Sequence, residues 1–494
     1  MGYRINYIGM SFIMCLILGL SACGIKRPES RQKPNILLIF TDQQNAGMLG
    51  VAGNKDLKTP SMDFLAKQGI RFTQAYCTSP VCGPARSSIV SGRMPHETGV
   101  EWNGQRMKEH VLNAGELFRR NGYLTVWGGK WHLPESYPYA EQKSIKGFDL
   151  LPFWDVNKER WILGAETDKP LTKAVVDFIN NYDQKEPLFL AVSYHNPHDI
   201  CFYPRKAGWI SENDSLLEIR YYGFEHQLPS AIGMHPDSFP ELPALPFNHE
   251  VDPHEPGFIS EKRQNHLEYG VETHMAHMEF GSKEWRGYLN AYYRLTEMVD
   301  REIGQVLDAL KASGMWENTL IVFTSDHGDG AAAHKWAAKL SLYEESSKIP
   351  MIFVYPGEIP AGIINQKNLV SQIDILPTML DYAQIESEAD FTGESLRSIM
   401  DDPSAVGRDY LVVELADYKP DSTRKGRMLR LNQYKYNIYS TGEEQLFNLQ
   451  SDPGEMQNLI RNREYEEIRQ ACRDSLQIWA QSTKDEFALA VLTE

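Results

Sequence analysis

Asn35-Ile36-Leu37-Leu38-Ile39-Phe40-Thr41 is a nearly continuous apolar run. A strand with one wet face alternates apolar and polar residues. An unbroken run instead predicts a strand buried on both faces of a mainly parallel sheet. Residues 188–193 and 320–324 read the same way, and 351–355 is a weaker case. Helical periodicity fills the intervals, over 61–68, 113–121, 172–181 and a long stretch from 283 to 313. In the last, Leu289, Tyr292, Leu295, Val299, Ile303, Val306 and Leu310 fall on one face, and Gly314 supplies a stop. Strands alternating with helices predict a doubly wound α/β sheet whose site lies beyond the carboxyl ends of its strands.

Past residue 402 the pattern shortens. Apolar runs at 410–415, 428–431, 434–439 and 445–448, then a helix over 464–482, predict a smaller antiparallel sheet with a terminal helix. Residues 34–402 are accordingly assigned to a main domain and 403–494 to a C-terminal subdomain. Residues 199–282 break the alternation as an insertion over one face. They carry seven of the 14 histidines, with Trp209, Tyr221, Tyr222 and Phe224, a set that suits either a sugar subsite or a packed lid.

The other exception is the beginning. Residues 8–20 are apolar but shorter than the ~20 residues a membrane-spanning helix needs. They follow Arg4 and precede Leu20-Ser21-Ala22-Cys23, which resembles the lipobox of bacterial lipoproteins. Residues 1–22 are expected to be a signal peptide, with Cys23 acylated at the head of a polar tether, 23–33. A plain secretory peptide is the alternative. The lipid anchor implies a membrane-attached protein of the bacterial cell envelope, facing either the periplasm or the outside. Disulfides are permitted there, but with Cys15 removed and Cys23 acylated only Cys77, Cys82, Cys201 and Cys472 remain. A disulfide framework is not expected.

Composition is that of an ordinary globular chain, 42% hydrophobic and 23% charged. Fifty basic against 66 acidic residues give a net charge of −16. This opposes a nucleic-acid partner, which calls for a basic face.

The chemistry gathers at strand ends. Thr41-Asp42-Gln43 closes the first strand and Ser325-Asp326-His327-Gly328-Asp329 another. Two such carboxylates together suit a hard cation such as Ca2+; each alone also suits a helix cap or a turn. Between them stands Val81-Cys82-Gly83-Pro84-Ala85-Arg86. Pro84 suits a first helical turn, which places Cys82 just before a helix N-terminus, where backbone N–H groups favour an anion. Arg86 follows about one turn later. The bland alternative is a small buried cysteine.

Cys82-x-Pro84-x-Arg86 with Ser91-Gly92-Arg93 resembles the signature of the type I sulfatases, whose cysteine is oxidised to Cα-formylglycine. Further blocks are similar and in order. They are residues 34–42, Gly129-Lys130-Trp131-His132-Leu133, Asn196-Pro197-His198, Ser325-Asp326-His327-Gly328, residues 334–346, 370–379 and 446–459. The resemblance spans essentially all of 34–494, with 199–282 divergent. It implies an alkaline phosphatase-like fold: a large, mainly parallel sheet between helices plus a smaller C-terminal antiparallel sheet with a terminal helix. It also implies one Ca2+ held by Asp42, Gln43, Asp326, His327 and an oxygen of modified Cys82. Many relatives have Asp where Gln43 stands and Asn where His327 stands. Gln still offers a carbonyl oxygen, whereas the nitrogen of His is a poorer ligand for a hard ion, and His327 could instead hold a sulfate oxygen.

In the implied chemistry the hydrated aldehyde at residue 82 attacks the sulfur of a sulfate ester. Arg86, Lys130, His198 and Lys339 offset the negative charge. His198 or Lys339 protonates the departing alcohol, and His132 is the base for expelling sulfate. Read without the resemblance, Lys130 and His132 fit one face of an exposed strand, and Lys339 an ordinary surface lysine. His195 fits a locally satisfied histidine. His274 and His277, three apart on an expected helix, lack a third metal ligand in pattern.

The leading expectation is a Ca2+- and formylglycine-dependent sulfatase acting on a sulfated glycan, with glycosaminoglycan fragments first. The bond is a uronate 2-O-sulfate, a hexosamine 6-O-sulfate or an N-sulfate. A formylglycine-generating maturation enzyme is an implied partner. Two alternatives stand beside it: a phosphomonoester or phosphonate hydrolase on the same scaffold, and a glycan-binding lipoprotein without turnover if Cys82 stays a thiol.

Overall fold

The computed structural model describes residues 33–133, 144–152, 163–202, 241–264, 280–402, 404–416 and 423–493. The leader with Cys23 lies outside the described residues. So does much of the insertion, including Trp209, Tyr221, Tyr222, Phe224, His274 and His277. Among the described residues no helix is long and apolar enough to cross a membrane.

The strands are β1 (Asn35–Asp42), β2 (Ile70–Phe72), β3 (Ala75–Tyr76), β4 (Leu124–Gly129), β5 (Ser144–Ile145), β6 (Phe148–Leu150), β7 (Leu188–Pro197), β8 (Thr319–Ser325), β9 (Met351–Val354), β10 (Ile363–Asn365), β11 (Val370–Ser371), β12 (Tyr410–Ala416), β13 (Lys425–Leu431), β14 (Tyr434–Tyr439) and β15 (Glu444–Asn448). Nine form one sheet in the order β10-β2-β9-β8-β1-β7-β4-β6-β5. β1 runs parallel to both β7 and β8, and β4 parallel to β7. β9, the weaker apolar run, is antiparallel to β8.

The alternating side chains of β1 explain its unbroken hydrophobicity. Ile36, Leu38 and Phe40 enter one core with Phe189, Ala191, Leu320 and Val322, beneath Ile89, Leu117, Phe118 and Met379 of overlying helices. Leu37 and Ile39 enter the opposite core with Leu190, Val192, Ile321 and Phe323. That side is covered by Val175 and Ile179 of the Gly164–Asn181 helix and by Val299, Ile303 and Val306 of the Ser282–Ala312 helix. Each such buried side chain contributes roughly 1.5–3 kcal/mol of transfer free energy. The long helix ends as expected: Gly314 takes φ 76°, the left-handed conformation that glycine adopts at least cost.

β12, β13, β14 and β15 form an antiparallel sheet. One face, with Val412, Leu429, Tyr436 and Leu446, packs on Cys472, Leu476 and Trp479 of the Glu466–Thr483 helix. The other face sends Leu411, Val413, Leu415 and Met428 into the same core as the even side chains of β1. Pro34–Glu494 is thereby one compact unit. The expected architecture is present, a mainly parallel sheet between helices with a smaller antiparallel sheet and terminal helices.

Two local readings are corrected. β4 is an interior strand, between β7 and β6, that no run of apolar residues announces, because Thr125, Gly128 and Gly129 interrupt it. Cys82 lies inside the first turn of the Cys82–Ser91 helix, with Val81 at its N-cap, rather than before it.

Candidate active site at the carboxyl ends of four parallel strands

β1 ends on Asp42, β8 leads into Asp326, β4 into Lys130 and β7 into His198. Four parallel strands thus deliver two carboxylates, an ammonium and an imidazole to the same edge of the sheet, the edge at which such folds place their ligands. The Cys82–Ser91 helix brings its N-terminal turn to this edge, and the loop after β8 returns to it with Lys339.

Lys339 Nζ donates to Cys82 Sγ at 2.9 Å, His327 Nε2 is 3.1 Å from the same sulfur, and Asp42 Oδ1 is 3.6 Å from it. Cys82, Asp42, Asp326 and His327 are all fully buried. Arg86 holds the carboxylates in place. Its Nε donates to Asp326 Oδ2 and its Nη2 to Asp42 Oδ2, both at 2.8 Å, while Nη1 donates to the Lys130 carbonyl and to Ser193 Oγ. Lys130 Nζ adds an ion pair with Asp42 Oδ2 at 2.6 Å. Lys130 and Lys339 are both buried, so neither is the exposed-strand or surface lysine of the bland alternative.

Charge sets the protonation states. Burial alone would raise the pKa of Asp42, but the cations Lys130, Arg86 and Lys339 outweigh it and hold the carboxyl well below its ordinary range. Burial and Asp42 oppose ionisation of the Cys82 thiol; Lys339, Lys130 and His327 overcome them and lower its pKa. Burial, with Lys130, pushes both His132 and His198 well below the usual imidazole value, so both are neutral. For His327 burial is outweighed by Asp326 and Cys82, and its pKa rises.

Arg86 occupies the Oδ2 atoms of both aspartates, which leaves their Oδ1 atoms on the side of His327. His327 Nε2 is 3.9 Å from Asp42 Oδ1 and 3.7 Å from Asp326 Oδ1. Its Nδ1 meets the Gly328 carbonyl at 2.8 Å, which in the neutral ring puts the proton on Nδ1 and frees the Nε2 lone pair. Asp42, Cys82, Asp326 and His327 each offer one ligand atom, all within 4.8 Å of one another. This donor set, two carboxylates and one imidazole with residue 82, fits a metal ion.

Gln43 sits beside the cluster with its backbone N–H on Asp326 Oδ1 at 3.0 Å. Its side-chain Nε2 donates to Asp329 Oδ2, and the Cys201 thiol donates to its Oε1. His195 is turned toward Thr167, 3.2 Å from Nδ1, and its backbone N–H is held by Asp168; burial lowers its pKa to about 3. Cys77, Cys82, Cys201 and Cys472 are free and buried.

Several residues around the site carried no sequence signal of their own. Tyr288 and Tyr292, four apart on the buried face of the long helix, turn their hydroxyls to Asp329 and to the Gln43 carbonyl. In the sequence Tyr292 shows only as part of the apolar stripe. Asp329 stood in the quoted strand-end block without a role. The i, i+4 spacing of two tyrosines was the one available hint.

Residues 34–385 match the sulfatase family model, and residues 332–482 match the model for the C-terminal region of N-sulphoglucosamine sulphohydrolase. The Delta 4,5-hexuronate-2-O-sulfatase of Bacteroides thetaiotaomicron is 31% identical over 500 residues, covering 95% of this chain and 93% of that protein. The N-acetylglucosamine-6-O-sulfatase of the same organism is 25% identical over 483 residues, covering 91% and 86%. The solved structure of a 2-O GAG sulfatase superposes with a TM-score of 0.73 at 28% identity, covering 92% of this chain and 94% of that one. The chain belongs to the sulfatase family and is a sulfuric ester hydrolase.

Proposed function

We propose that the protein removes sulfate from glycosaminoglycan fragments, using Cys82 in its formylglycine form and one Ca2+. The observation that carries this reading is the position of Cys82 Sγ, 2.9 Å from Lys339 Nζ and 3.1 Å from His327 Nε2, in the same buried cluster as Asp42 and Asp326. Oxidation of Cys82 would supply an aldehyde whose hydrate is an oxygen nucleophile, and a bound Ca2+ would supply positive charge against the sulfate oxygens.

The chain's own residues do the rest. Asp42, Asp326 and His327 would hold the cation, with Gln43 adding its amide oxygen. The cationic surroundings that lower the Cys82 pKa favour an ionised oxygen at the same place. Arg86 makes four donor contacts within the protein, so it acts on sulfate through its charge and by aligning both aspartates. Lys130 and Lys339 offset the charge of the sulfuryl group. Of the two candidate donors to the departing sugar oxygen, burial and the neighbouring lysines keep His198 neutral, so Lys339 is the cationic one. Neutral His132 is ready to accept a proton when sulfate leaves.

A relative and a solved structure whose names both specify a 2-O-sulfate make the uronate 2-O-sulfate the first bond to test, ahead of 6-O- and N-sulfates. Residues 1–22 are proposed as a signal peptide and Cys23 as the lipid anchor in the cell envelope. Residues 34–402 are proposed as the catalytic domain and 403–494 as its C-terminal subdomain.

The test is a screen of the matured protein against defined sulfated disaccharides and against aryl sulfate and aryl phosphate, with mass spectrometry of the Cys82 peptide. Sulfate release with an aldehyde at residue 82 is expected. Dominant phosphatase turnover replaces the reading with the phosphoester alternative, and an intact thiol on every molecule that still binds glycan replaces it with the non-catalytic one.

A further inference from the structure

A glutamine is an ambiguous metal ligand, because its amide presents either an oxygen that binds a cation or an NH2 group that repels one. Which atom faces the cation depends on what fixes the other. Gln43 is completely buried, and its side-chain environment is asymmetric. Nε2 donates to Asp329 Oδ2 at 2.8 Å, and the carboxylate at that point can only accept. On the other side the Cys201 thiol donates to Oε1 at 3.2 Å. A flipped amide would set its carbonyl oxygen against the Asp329 carboxylate and its NH2 against the thiol.

Asp329 is itself held. The Tyr288 hydroxyl lies 2.9 Å from both of its carboxylate oxygens, and the Ala331 backbone N–H donates to Oδ1 at 2.7 Å. Both Asp329 and Tyr288 are buried. The same tyrosine hydroxyl accepts the backbone N–H of Ala338 at 3.0 Å, and Ala338 immediately precedes Lys339. One phenol therefore ties the partner of Gln43 to the loop that carries the lysine at Cys82. That loop is strained: Ala331, Ala332, His334, Lys335, Ala338 and Leu340 all have positive φ, a conformation that side-chain-bearing residues hold only when their surroundings enforce it.

We infer that Asp329 and Tyr288 are positioning residues that lock the Gln43 amide with its oxygen toward the cation and hold the Lys339 loop in register with it. The inference rests on the proposed metal role of the Asp42–Asp326–His327 cluster. Partners that orient metal ligands contribute about 10–100-fold in metal affinity.

The test is calcium binding to the chelator-stripped full chain by titration calorimetry, beside thermal unfolding of the metal-free form. Tyr288→Phe and Asp329→Ala are expected to weaken calcium binding about tenfold or more. Asp329→Asn, which keeps an oxygen for Gln43 Nε2, should recover much of that loss. In a Gln43→Asp background the cost of Tyr288→Phe on calcium affinity should shrink toward none, because a carboxylate presents oxygen either way round. If Asp329→Ala does not fold, Tyr288→Phe alone decides. Wild-type calcium affinity in both Tyr288→Phe and Asp329→Ala, with only the unfolding temperature lowered, overturns the positioning role. A wild-type chain that takes up no calcium overturns the metal reading itself, a distinct result.

Discussion

Lys339 Nζ lies 2.9 Å from Cys82 Sγ, although 257 residues separate them in sequence. The pair puts a buried ammonium where the hydrate oxygen that would replace this sulfur in the formylglycine form would stand. Cys82→Ala should lower sulfate release by several orders of magnitude. It should leave the unfolding temperature nearly unchanged, because alanine is a good residue in the first turn of a helix. Lys339→Met removes charge stabilisation rather than the nucleophile and should cost roughly 10²–10³ in kcat. Aryl sulfate kinetics with parallel thermal unfolding separates these effects from loss of fold.

Arg86 sits between two buried carboxylates and is itself buried. Arg86→Leu would leave Asp42 and Asp326 facing each other with Lys130 as the ammonium on Asp42. Breaking buried pairs from one side costs about 3–5 kcal/mol, which urea unfolding in chelator should show. Added calcium should recover part of this loss, as a ligand of the native state stabilises by about 2.7 kcal/mol at 100 times its Kd. No recovery would mean that the two carboxylates do not share a cation.

The parts of this site that were legible in the sequence are those whose physics is local. β1, β7 and β8 announce themselves because strands buried on both faces must be apolar at every position. Asp42, Cys82 and Asp326 stand at element ends where turn chemistry and helix-start chemistry show. β4 did not announce itself, since its Gly129 is required by a contact far away in sequence. A Cβ there would fall 1.9 Å from the Ser193 carbonyl oxygen, and its φ is 94°. The same holds for the Tyr288–Asp329–Gln43 chain, which joins three elements through hydroxyl, carboxylate and amide and leaves no periodic trace.

His96 ties the short Pro95–Thr98 helix to the C-terminal sheet and its terminal helices. Nδ1 lies 2.6 Å from Glu414 Oε1 and Nε2 lies 3.0 Å from the Thr483 carbonyl, so both nitrogens meet acceptors and the ring is held as the cation. Burial opposes the charge, but Glu414 and then Asp485 outweigh it and raise the pKa from 6.5 to about 9. A folded-state pKa raised above the unfolded value gives stability that is complete below about pH 6.5 and is lost as pH rises through about 9. The loss should be on the order of 3 kcal/mol. Urea midpoints at pH 6, 8 and 10 measure it, and His96→Gln should flatten that dependence while lowering stability at pH 6.

Calcium and sulfate should bind cooperatively. Without a cation, the aspartates Asp42 and Asp326 are already paired by Arg86, and Lys130 Nζ is drawn to Asp42 at 2.6 Å. A divalent cation held by Asp42, Asp326 and His327 would compete with that lysine for the charge of Asp42 and would add positive charge to the same buried cluster. A dianion is then attracted both by the cation and by a lysine released toward it, in surroundings where charges are weakly screened. Coupling of this kind usually amounts to 5–150-fold, and by linkage each ligand tightens the other by the same factor. Sulfate affinity measured by calorimetry should therefore rise at least fivefold between chelator-treated and calcium-saturated protein, and sulfate should raise calcium affinity by the same factor. Lys130→Met should weaken sulfate binding while easing calcium binding, since Asp42 then carries no competing ammonium. Sulfate affinity independent of calcium would place the anion away from the Asp42–Asp326–His327 cluster.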